Sequence, residues 1–146
     1  MPSRRAHRCW NLAYFESWML AAGGASGLLG TIVGSIYGPR VVDTDAALVG
    51  VPIGVALGFL GARSTLRRRG LHRVLVAGGA LAAAAGTAGA GIMFAAARSA
   101  RGDGPFVGLG EALTGFLLAA VAAIGLACLA AGTTGRLAAR TAPGPA

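Results

Sequence analysis

The chain of 146 residues contains no lysine, and its 13 basic residues are all arginine. Cysteine is scarce: Cys9 and Cys128 stand alone and far apart, which excludes a disulfide framework and any metal site built on cysteine spacing. Histidine is equally scarce. His7 and His72 each sit beside arginine with no thiolate or carboxylate next to them, so neither a metal set nor a Ser/His/Asp triad can be assembled, and both are expected to be solvated at helix ends. The glycine-rich runs lack the Gly-Lys-Ser/Thr ending that coordinates phosphate and magnesium, which excludes a phosphate-binding loop. These absences leave no enzyme signature and no expected cofactor. Charge is sparse as well. Only 12% of residues are charged, about half the roughly 25% of soluble domains, and a soluble globule of this composition could not cover its own surface.

Apolar residues make up 55% of the chain and the mean hydropathy is +0.66. They fall into four stretches, 12–37, 46–62, 74–97 and 109–131, separated by charged or turn-forming segments. At about 1.5 Å per residue, about 20 residues cross a hydrocarbon core of about 30 Å. The second stretch is short and carries Pro52, which makes it the weakest span. Trp10, Tyr14 and Trp18 form an interface belt at the start of the first. The expected fold is an all-α, integral membrane four-helix bundle: a basic N-terminus over 1–11, a membrane domain over 12–132 and a disordered tail over 133–146. Ser3-Arg4-Arg5 ahead of an apolar run has the outline of an export signal, but the run continues past the small residues at 21–25, so a retained first span is expected.

An even number of spans places both termini on one side. That side holds ten arginines, at 4, 5, 8, 63, 67, 68, 69, 73, 136 and 140, against three at 40, 98 and 101 on the other. The positive-inside rule therefore predicts that both termini and the central basic loop face the cytoplasm of a multi-pass cell-membrane protein.

Glycine occurs 25 times, and its placement is periodic. Gly23, Gly27, Gly30, Gly34 and Gly38 share one stripe of the first span, and Gly50, Gly54, Gly58 and Gly61 share one of the second. Such small-xxx-small runs let membrane helices approach closely, so spans one and two are expected to pack at near contact. Spans three and four carry weaker stripes, Gly79, Ala83, Gly86, Ala90 and Gly115, Ala119, Ala122, Gly125. Glycine faces turned inward in a homo-oligomeric channel are the alternative use of the same pattern.

Two carboxylates lie within the spans. Glu16 shares the stripe of Gly23 and Gly27 and is expected to face other helices, and Glu111 shares that of Gly115; both are near enough to a membrane boundary to reach the headgroup layer. Four spans with a glutamate in the first resemble the small multidrug exporters, which implies a proton-coupled carboxylate at Glu16. The chain departs from that family in having only Phe59 and Phe94 as aromatics in spans two and three.

Arg67, Arg68, Arg69 and Arg73 make a compact basic loop, which suits contact with anionic lipid or with DNA phosphate, neither of which requires sequence readout. Exclusive arginine, Ala/Gly-rich spans and a basic cytoplasmic face together resemble the small hydrophobic spread proteins of actinomycete conjugative plasmids. The resemblance implies a non-enzymatic accessory in plasmid DNA transfer, partnered by other membrane subunits or by copies of itself.

Overall fold

The computed structural model describes residues 4–37, 44–66, 68–100 and 107–141. Over these the chain forms four helices, α1 (Arg4–Tyr37), α2 (Thr44–Thr65), α3 (Arg69–Ser99) and α4 (Leu109–Thr141). Each is long and apolar enough to cross a membrane. The second helix, 22 residues long, is about 33 Å at the helical rise. Pro52 lies inside it, and its exposed position keeps the ring away from the seam with α1; membrane-type helices tolerate such a proline where neighbours re-satisfy the freed carbonyl.

Two boundaries differ from expectation. The segment from residue 133 to Thr141 is helix, not disordered tail, because Leu137, Ala138 and Ala139 are good helix formers and Gly135 and Ala138 are buried against neighbouring helices. Thr133 and Thr134 stay within the helix by donating their hydroxyls to the carbonyls of Leu129 (3.0 Å) and Ala130 (2.7 Å). Residues 142–146 lie outside the described residues. Likewise the N-terminal basic segment is helical from Arg4 onward, and the central basic segment is helical up to Thr65 and again from Arg69. There the Leu66 N–H donates to the Ala62 carbonyl at 3.0 Å and the Arg68 N–H to the Thr65 carbonyl at 2.8 Å, so α3 starts almost where α2 stops.

Neighbouring helices run in opposite directions. The packed pairs are α1 with α2, α3 with α4, and α1 with α4, with no comparable seam between α2 and α3 among the described residues. The spatial order is therefore α2, α1, α4, α3: two hairpins joined through their first and last helices. Large apolar side chains point outward, with Leu20 at 70% and Leu81 at 72% exposure, while the interior is lined mainly by alanine and glycine. Soluble proteins do the reverse; helices solvated by lipid gain nothing from hiding leucine and associate through close backbone packing.

In the α1–α2 seam, the Ser26 hydroxyl donates across to the Gly50 carbonyl at 2.8 Å. A Cβ at Gly54 would overlap the Ser26 Oγ and the Ala22 carbonyl. The α3–α4 seam, expected to be the weaker, brings backbone to backbone. A Cβ at Gly125 would fall 2.6 Å from the Ala83 nitrogen, and one at Gly79 would fall 2.6 Å from the Gly125 carbonyl oxygen. Spacing alone underrated this pair, because alanine between the glycines is nearly as permissive as glycine itself.

At the far end of this hairpin, Gly108 has φ +77° and leads into α4, where its carbonyl accepts the Ala112 N–H at 3.0 Å. Gly108→Ala would force a Cβ into the left-handed region, at about 1–2 kcal/mol, and set it 2.7 Å from the Ala97 carbonyl oxygen. Thermal unfolding in detergent should show a lowered midpoint for Gly108→Ala and none for Gly110→Ala, where no atom lies within 4 Å.

Candidate functional site

The alternating helix directions bring the start of α1, the end of α2, the start of α3 and the end of α4 to one end of the molecule. Arg8, Arg63, Arg68, Arg73 and Arg140 are exposed there and Arg136 is half-buried, whereas Arg98 is exposed at the opposite end. Arg69 begins α3 at the same basic end. Arg67 lies outside the described residues. Of the two glutamates, Glu111 lies at the opposite end, in the first turn of α4, and Glu16 lies on the outer face of α1, two residues from Tyr14.

Glu16 is exposed, on an outward stripe with Leu12 and Leu20 at 65% and 70% exposure. It does not face the other helices. The cause is helix crossing: α2 meets α1 at Gly23 and Gly27 near one end but at Trp18 and Phe15 near the other, and Glu16 lies about 100° round the helix from Phe15. Glu111 is exposed in the first turn of α4, where a carboxylate meets the positive end of the helix dipole. Neither is held among interior groups.

Of the glycines singled out by periodicity, Gly23, Gly27, Gly54 and Gly58 are buried between α1 and α2, with Gly50 and Gly61 half-buried in the same seam. Gly30 and Gly34 are half-buried further along α1. Gly38 lies outside the described residues.

The basic end also contains a buried aromatic and polar junction. Tyr14 of α1 and His72 of α3 are the largest fully buried side chains, each at 0% exposure. Their rings meet edge to face with centroids 5.4 Å apart. Ala62 of α2 and Ala131 of α4 complete the contact with Tyr14, so all four helices converge here. The Tyr14 hydroxyl bonds Thr65 Oγ1 at 2.9 Å, and Thr65 Oγ1 in turn donates to the Gly61 carbonyl at 2.6 Å. Gly135 makes the room: a Cβ there would fall 2.8 Å from Tyr14 Cε2 and 2.9 Å from His72 Nε2. Both ring nitrogens of His72 are buried with no hydrogen-bond partner among the described residues, as is the Trp18 indole nitrogen.

The expectation that His72 is solvated is therefore overturned. Its neighbour Arg73 is exposed, but His72 precedes Gly79 by seven residues and Gly86 by fourteen, which continues the inner stripe of α3 by two helical turns. That spacing was readable. The burial of Gly132 and Gly135 on α4 was missed for a related reason, that the apolar run ends at 131 while the packing stripe runs on.

Comparisons with known protein families, with characterised proteins and with solved structures return no match.

Proposed function

We propose that this chain is a non-enzymatic, four-span membrane protein with its basic end in the cytoplasm, and that it serves as an accessory in the passage of plasmid DNA between cells. The observation that carries the reading is the gathering of exposed arginines from α1, α2, α3 and α4 at one end of four membrane-length helices. Clustered guanidinium groups bind phosphate through charge and hydrogen bonding, and such contacts position a duplex without reading its sequence. Partners in this reading are DNA, other membrane subunits or further copies of the chain.

Two measurements test the reading. Reporter fusions after Arg68 and Thr141 should report cytoplasm, and fusions after Asp43 and Gly104 the exterior; the Asp43 and Arg68 fusions on one side would remove α2 as a span. Full-length protein in neutral-lipid nanodiscs should bind duplex DNA of unrelated sequences with similar affinity, and log affinity should fall linearly with log salt. No DNA binding at low salt, with binding to anionic lipid retained, would exclude direct contact with the transferred DNA.

A further inference from the structure

Among the described residues, the junction at the basic end holds a titratable ring that the proposed function does not use. A neutral imidazole has one N–H to donate and one nitrogen to accept. His72 is fully buried, yet neither nitrogen finds a partner among the described residues. Leaving a buried polar group unmatched is costly, and native structures keep few such groups. This one sits where the α1–α2 hairpin meets the α3–α4 hairpin, with α1 against α4 as the seam between them. Its surroundings are the Tyr14 ring from α1, the Thr65 backbone from α2, near enough to act on the ring but without a well-formed hydrogen bond, and from α4 Gly135 and the Arg136 guanidinium, which acts on it through charge. Arg73, next to it on α3, is exposed. The carboxylates of Glu16 and Glu111, exposed on the outward stripe and at the opposite end, do not reach it.

We propose that His72 is a proton-operated latch between the two hairpins, closed while the ring is neutral and opened at the basic end when it is protonated. Protonation adds a second N–H and a positive charge to a site with Arg136 beside it and no carboxylate facing it. The least costly response is to part Tyr14 from His72 and admit water, which moves α1 away from α4. The closed contact is held while the ring is neutral and is lost as pH falls far enough to protonate it. The latch does not depend on what the arginines bind, so it stands or falls separately from the DNA reading.

The test is a distance measurement on the full chain in neutral-lipid nanodiscs. Spin labels on Cys9, which is exposed on α1, and on Arg140→Cys of α4, in a Cys128→Ala background, report the separation of the hairpins at the basic end. One distance is expected at pH 8, and a longer population should grow as pH falls to 5. His72→Gln, neutral throughout, should keep the short distance at every pH, while His7→Gln should still open. Gly135→Ala, whose methyl would press on both Tyr14 and His72, should show the longer population already at pH 8. A wild-type distance that does not change between pH 8 and 5 overturns the proposal, as does opening that persists in His72→Gln or, should that variant not fold, in His72→Leu.

Discussion

Gly125→Leu is expected to separate α3 from α4 and to produce the largest loss of stability of any single substitution considered. At Gly125 even a methyl would meet the Ala83 nitrogen at 2.6 Å, the Gly79 carbonyl oxygen at 2.9 Å and the Ala82 carbonyl carbon at 3.0 Å. All three are backbone atoms, so no rotamer change can relieve the clash, and α3 as a whole must retreat. Overpacking in a core that can adjust its side chains costs about 1–3 kcal/mol. A leucine against backbone should exceed that range, lowering the unfolding midpoint in detergent by roughly 10 °C or more. The matched control is Gly78→Leu, one residue from the seam glycine Gly79, where no atom lies within 4 Å. There leucine should be neutral or stabilising, since glycine is a poor helix former by about 1 kcal/mol. Equal effects at the two sites would show that the α3–α4 contact does not hold the fold together.

Replacing Arg67, Arg68 and Arg69 together with glutamine is expected to weaken DNA binding steeply at low salt and hardly at all at high salt. Each duplex phosphate neutralised contributes about 0.9 to the slope of log affinity against log salt. Three lost contacts would flatten the slope by up to about 2.7 units, a loss of roughly 500-fold at 0.1 M salt relative to the 1 M extrapolation. Arg4, Arg5, Arg8 and Arg73 remain to hold the positive-inside bias, so reporter fusions should give unchanged topology. Binding that falls by the same factor at all salt concentrations would point to a folding defect instead. A slope that does not change would place the DNA contact, if any, on other arginines.

Glu16 and His72 relate to the helical periodicity in opposite ways. Glu16 lies on the glycine stripe when α1 is drawn as an isolated helix, and an isolated helix is all that sequence describes. Once α2 crosses α1, the contact line shifts from Gly23 to Trp18 and Phe15, and the carboxylate is left outside. His72 is the converse. Its immediate neighbours suggest solvent, while its distance of seven and fourteen residues from Gly79 and Gly86 suggests the interior, and in the structure the longer-range pattern prevailed because α4 offers Gly132 and Gly135 opposite it.

Sequence by itself determined the number of membrane-length helices and the concentration of arginine at one end of them. Hydropathy and charge act residue by residue along the chain, and four antiparallel helices leave no other arrangement of their ends. Tertiary structure alone decided that the α3–α4 seam is as close as the α1–α2 seam, that α1 and α4 join the hairpins while α2 and α3 lie outside, and that Tyr14 meets His72 where all four helices converge. Those outcomes depend on how neighbouring helices cross, and a crossing is a property of two surfaces that neither strand of sequence contains alone.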